Sequence, residues 1–182
     1  MNLTEQTKSE EYLFRGRVIR LRRDEVILPD GNEATREVIE HNGGVGVVPL
    51  TDDGEVLLVR QYRYPYKEEL LEIPAGKRDS ATEDPLACGI RELKEETGCS
   101  AARFVPLGKL YPSPGYCGEI IWMYAATGLS TGEQQPDDDE FLEVEHYPLD
   151  TVVDWVLSGK ITDAKTQAAI LKTKILKDRG EL

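Results

Sequence analysis

The sequence of 182 residues predicts an α+β fold. Three features carry that expectation. Strand-like segments with turn signals lead as far as Leu70, one helix with marked ends follows, and further strands then give way to two closing helices. A chain of this length holds one sizeable domain, or a domain with a small appendage, around a proper core.

Residues 1–10 are polar and read as a loose terminus. Tyr12–Leu28 is rich in Val, Ile, Leu and Arg, Pro29-Asp30-Gly31-Asn32 is a strong turn signal, and Ala34–His41 alternates enough to return as a strand. The sequence therefore divides into an antiparallel hairpin unit within residues 1–42 and a main domain over 43–182. So small a unit cannot bury a core alone and must pack on the main domain or on another subunit. Gly43-Gly44 reads as a hinge rather than a phosphate contact. Val45–Leu50 and Val56–Gln61 are strands joined by Asp52-Asp53-Gly54. The segment Arg60–Tyr66 sets arginines among tyrosines, either to grip phosphate and stack on a base or as a packed strand end. Phe104–Leu110, Glu119–Ala126 and Leu142–Tyr147 are further strands, with Trp122 and Tyr124 facing the core. Tyr111–Tyr116 is a rigid loop, and the acidic stretch Gly128–Asp139 is either a lid or flexible surface. Asp150–Ser158 and Asp163–Lys177 are helices, the second capped by Asp163 with Ala164, Ala168, Leu171 and Ile175 inward.

The central helix has the clearest ends. Asp84 is a good N-cap, Pro85 suits the first position, and Gly98 suits a left-handed stop. Leu86, Ile90 and Leu93 mark a buried stripe, with Glu92 and Glu96 one turn apart on another face and Glu95 beside them. Like charges at this spacing cost roughly 0.2–0.5 kcal/mol. Anions in the last turn oppose the helix dipole by a further 0.3–1 kcal/mol or so. A divalent cation reverses the sign of both effects, since carboxylate oxygens are natural ligands of Mg²⁺ or Mn²⁺. A solvated acidic face is the plain alternative.

Composition narrows the classes. A formal charge of −12 argues against nucleic-acid backbone binding and against an anionic membrane. No apolar run approaches a membrane span, and the polar start has no signal-peptide core. Cys88, Cys99 and Cys117 form no paired framework, which fits a reducing cytoplasm. With His41 and His146 the only histidines, any metal is a hard one bound by oxygen.

The order Gly76, Glu83, Arg91-Glu92-Leu93, Lys94-Glu95-Glu96-Thr97-Gly98-Cys99 resembles the Nudix box. That box is the loop–helix–loop signature of hydrolases that split nucleoside diphosphates linked to another group. Six residues separate Gly76 from Glu83, one more than in the family, but the insertion precedes the helix and leaves the glutamate spacing intact. The segments VLLVRQYRYP, LLEIPAGK, SPG and ITDAKT extend the resemblance to bacterial ADP-ribose pyrophosphatases over nearly the whole chain after residue 10. Pro114, fifteen residues past Cys99, resembles a mark of that subfamily. The nearby Tyr116 resembles a mark of dinucleoside polyphosphate hydrolases, and the N-terminal unit favours the former.

The resemblance implies an α/β/α sandwich with a mixed sheet, and a homodimer built through the N-terminal unit. It implies Mg²⁺, or Mn²⁺, on Glu92, Glu95, Glu96 and the backbone carbonyl of Ala75, with Glu92 and Glu96 essential to catalysis and Arg91 orienting the carboxylates. Glu140, in PDDDEF, matches the family's general base, though it is also one acid among several in a solvated loop. Arg63 and Arg36 match substrate arginines, Arg60 is a weaker third, and Glu119 matches a glutamate near the metals or substrate. The implied reaction is hydrolysis of ADP-ribose to AMP and ribose 5-phosphate. Another nucleoside diphosphate sugar, such as a GDP-hexose, and a non-catalytic nucleotide sensor are the alternatives.

Overall fold

The computed structural model describes residues 2–135 and 141–182. Its N-terminal unit is an antiparallel meander of β1 (Gln6–Arg15), β2 (Arg20–Ile27) and β3 (Glu33–Glu40). Two expectations are corrected here. Gln6 onward is strand rather than loose terminus, and Tyr12–Leu28 contains a turn, closed by the Gly16 amide donating to the Ile19 carbonyl at 2.9 Å. Every residue of β1 is exposed, so no apolar alternation announces it. The Pro29–Asn32 turn forms as expected, with Gly31 at φ 88°. The meander is tied to the main domain at Ile39. Its amide donates to the Tyr116 carbonyl and its carbonyl accepts from Gly118, each at 2.8 Å.

The main domain follows as β4 (Gly44–Pro49), β5 (Glu55–Arg63), β6 (Glu68–Glu72), β7 (Ala75–Lys77), α1 (Pro85–Thr97), β8 (Ser100–Leu110), β9 (Ile121–Ser130), β10 (Leu142–Pro148), α2 (Leu149–Leu157) and α3 (Ala164–Asp178). A four-stranded mixed sheet runs β7-β4-β9-β8, with β4 and β9 parallel, and an antiparallel sheet runs β10-β5-β6. All of β4 is buried, and its two faces serve different layers. Val45 and Val47 pack with Cys88 and Leu93 of α1. Val48 joins Leu149 and Val152 of α2 and Ala169 and Ile170 of α3. The expected α/β/α sandwich is therefore present, its strands divided between two sheets. Each large aliphatic side chain so enclosed contributes about 1.5–3 kcal/mol. Among the described residues no helix is long and apolar enough to cross a membrane.

The helix ends stand where the sequence puts them. Asp84 accepts from the Ala87 amide at 2.9 Å, and Gly98 closes α1 at φ 70°. The buried stripe differs. It consists of Cys88, Gly89, Glu92, Leu93 and Glu96, while Ile90 is 48% exposed. The helix is turned so that two glutamates, not two aliphatics, flank Leu93 in the interior. Gly89 allows the close approach: a Cβ there would lie 2.9 Å from Val45 Cγ1. In α3, Asp163 caps as expected, but the buried face is Lys165, Thr166, Ala169, Ile170 and Thr173 rather than the stripe ending at Ile175. The strand β9 also runs on to Ser130, through the start of the expected acidic loop.

Candidate active site

A cleft of about 420 Å³ opens between the meander and the main domain. Val18 and His41 line it from the N-terminal side, Arg63 and Glu72 from β5 and β6, and Ala75 and Gly76 from β7. Glu119, Asp163 and Lys165 complete its polar wall. Its size is in the range of small-molecule sites.

The helix α1 lies behind Ala75-Gly76. Glu96, 2% exposed, accepts the Ala75 amide at 2.8 Å. Glu92, 6% exposed, covers Gly76 so closely that a Cβ on that glycine would meet its carboxylate carbon at 1.9 Å. Arg91 organises the outer side. Its guanidinium lies 2.7 Å from Glu92, 3.2 Å from Glu95 and 3.3 Å from Glu83, with Asp79 at 4.0 Å. Burial works against that charge, but the Glu92 carboxylate and its neighbours outweigh it and raise the Arg91 pKa. Arg91 orients carboxylates, as expected.

One guanidinium among four carboxylates leaves excess negative charge, and the donors are all hard oxygens. That set fits a divalent cation such as Mg²⁺ in kind. Among the described residues no three His, Cys, Asp or Glu side chains are grouped so as to hold a metal ion as they stand. Arg91 and the Ala75 amide hold the carboxylates in this arrangement.

The loop from Lys77 to Thr82 is built around Arg78. This side chain, 7% exposed, donates to the carbonyls of Asn42 at 3.1 Å, Ala81 at 2.7 Å and Glu83. Its guanidinium also stacks 4.7 Å from the Trp122 ring. Arg78 is an internal anchor of this loop that the sequence did not single out.

The remaining sequence candidates separate. Arg63 and Glu119 are at the cleft, Glu119 with His41 Nδ1 at 3.4 Å. Arg60 instead pairs with Glu145 at 2.5 Å and lines a different hollow with Tyr62 and Phe141. Arg36 pairs with Glu5 on the meander and is not among the residues lining the cleft. Glu140 lies outside the described residues.

The wall of the cleft holds an ion cluster that sequence reasoning missed. Glu72, 2% exposed, accepts Arg63 Nε at 2.7 Å and Nη2 at 2.8 Å, and also the Lys165 ammonium. Lys165 is 3.0 Å from Asp163. Burial alone would push the Glu72 carboxyl up. The bonds from Arg63 and the charge of Lys165 overcome it and hold the group down at about 2. The signal for this cluster lay in LLEIPAGK and ITDAKT, but nothing in either segment says that they meet.

Comparison with known proteins agrees with this architecture. The NUDIX domain model matches residues 40–170, and the nucleoside diphosphate sugar hydrolase N-terminal domain model matches residues 5–39. The chain is 39% identical to an ADP-ribose pyrophosphatase of Bacillus subtilis over 171 residues, 93% of this chain and 92% of that one. It is also 39% identical to a methanol dehydrogenase activator of Bacillus methanolicus over 168 residues, 91% of this chain and 90% of that one. A crystal structure of an ADP compounds hydrolase superposes with TM-score 0.86 over all of both chains at 24% identity, a likeness of fold. With the NUDIX model covering most of its length and a relative 39% identical over 93% of it, the chain belongs to the Nudix family.

Proposed function

We propose that this protein hydrolyses the diphosphate linkage of ADP-ribose, adding water across it to give AMP and ribose 5-phosphate. The observation that carries the proposal is the adjacency of Arg63 to the Ala75-Gly76 wall backed by Glu92 and Glu96, in a chain so similar to an ADP-ribose pyrophosphatase. An acidic protein admits an anionic diphosphate only where local cations offset its field, and Arg63, fixed by Glu72, is one at the cleft. Glu92, Glu95, Glu96 and the Ala75 carbonyl hold Mg²⁺, or Mn²⁺, in this proposal. The ion neutralises phosphate oxygens and lowers the pKa of bound water when present. Glu140 takes the proton from the attacking water, Glu119 contacts the substrate side, and Arg36 serves the substrate from the meander in a cytoplasmic homodimer. Arg60 has the weakest support, since Glu145 already holds it away from the cleft.

Release of AMP from ADP-ribose, beside GDP- and UDP-sugars, with Mg²⁺ or with EDTA, tests the proposal on wild type and Glu96→Gln. Metal-dependent turnover that favours ADP-ribose and is lost in the variant supports it. Preference for a GDP-hexose keeps the chemistry and changes the substrate. Binding without turnover leaves a sensor.

A further inference from the structure

Lys165 is explained neither by its helix nor by its burial. It is the second residue of α3, at the positive end of the helix dipole, and is 9% exposed. A buried ammonium in that position is unfavourable unless anions repay its desolvation. Glu72 and Asp163 do so. The same Glu72 grips Arg63 through Nε and Nη2, leaving Nη1 as the guanidinium nitrogen not bonded to it. Glu72 thus bonds both a buried cation and one whose side chain is 37% exposed, and all three residues line the cleft. The N-terminus of α3 also fixes the chain that follows Glu72. The Ile73 amide donates to Thr166 Oγ1 at 2.9 Å, and that hydroxyl donates to Asp163 at 2.6 Å.

We propose that Lys165 is a positioning residue for Arg63. By binding the Glu72 oxygen that also accepts from Arg63 Nη2, it fixes the carboxylate in the orientation that presents the guanidinium to a diphosphate in the cleft. The proposal rests on the diphosphate hydrolase reading above and assigns to that site a residue on the last helix. The depressed Glu72 carboxyl agrees with it, because the Lys165 charge contributes to the depression. Without that charge Glu72 is a buried carboxylate with Arg63 as its main counter-ion, and it protonates at higher pH.

The test compares wild type, Lys165→Met, Lys165→Arg, Glu72→Gln and the Lys165→Met/Glu72→Gln double variant. ADP binding is measured by calorimetry and ADP-ribose turnover across pH with Mg²⁺. Lys165→Met is expected to weaken ADP binding about tenfold, the scale of losing one well-placed charged hydrogen bond. KM rises more than kcat falls, and the acid limb of kcat/KM moves to higher pH. Lys165→Arg restores most of the affinity. Glu72→Gln reproduces the loss, and the double variant adds little to it. ADP affinity unchanged in Lys165→Met, or in Glu72→Gln should Lys165→Met not fold, overturns the proposal. Wild type that binds ADP but cleaves nothing removes the hydrolase reading, while the affinities still decide the role of Lys165. Wild type that does not bind ADP overturns both.

Discussion

The carboxylate of Glu92 occupies the space that any side chain on Gly76 would need, with its carboxyl carbon 1.9 Å from where a Cβ would be. The glycine of the box is therefore required by contact rather than by backbone angle, since Gly76 is not among the residues of positive φ. It lets a glutamate from α1 come up against the wall of the cleft.

Gly76→Ala tests that contact. The methyl group forces Glu92 or β7 to move, and crowding of this kind costs about 1–3 kcal/mol. Thermal unfolding should show the loss. ADP-ribose turnover should fall much further than stability does, because the displaced group is a proposed metal ligand. Normal turnover would mean that Glu92 has no such place in the reaction.

How much of this was legible in the sequence depended on where the information lay. The ends of α1 were legible because caps are local: Asp84, Pro85 and Gly98 act within one turn. Its buried face was not, because Ile90 and Glu92 exchange their usual places. Hydropathy puts the isoleucine inside, but Arg91 and the Ala75 amide satisfy the glutamates and a neighbouring strand claims the turn that holds them. The strand β1 was missed for the opposite reason, having no buried face to leave a pattern. The Glu72–Lys165 bond joins residues 93 positions apart, and no local rule reports such a pair.

Glu72 makes stability depend on acid. Its carboxyl is held down at about 2 against an ordinary 4.5, so the unfolded chain takes up a proton before the folded one does. The stabilisation is present in full above the unfolded value and is lost as pH falls from about 5 toward 2. The shift corresponds to about 3 kcal/mol at neutral pH. Urea unfolding of wild type and Glu72→Gln across this range should show the two stabilities converging at low pH. A gap that stays constant would remove Glu72 as its source.

The cysteines should react in a fixed order. Cys88 is fully buried, and its desolvation, with Glu92 next in effect, pushes the thiol up to about 12. Cys99 is 2% exposed, whereas Cys117 is only half-buried. Thiolate is the reactive form, so iodoacetamide at pH 8 should label Cys117 first and reach Cys88 and Cys99 only after unfolding. Mass spectrometry of the labelled peptides checks this, and early labelling of Cys88 would contradict the packing of α1 on β4.

Arg78 carries the last prediction. Its guanidinium donates to the Ala81 and Glu83 carbonyls of the loop and to the Asn42 carbonyl of the preceding segment, and it covers the Trp122 ring. Glu83, at the end of that loop, holds the Asp79 amide at 2.7 Å and Arg91 at 3.3 Å, so disorder in the loop reaches the carboxylates of α1 through Arg91. Arg78→Met keeps the buried stem but loses every bond, and a cost of about 2–3 kcal/mol is expected. Arg78→Lys should recover little of it, because one ammonium cannot reproduce the planar fork that spans Asn42, Ala81 and Glu83. Limited proteolysis should cut both variants between Lys77 and Thr82 where wild type resists. Should both variants resist cleavage and keep wild-type stability, the loop is held by its own turns, and Arg78 is a passenger in it.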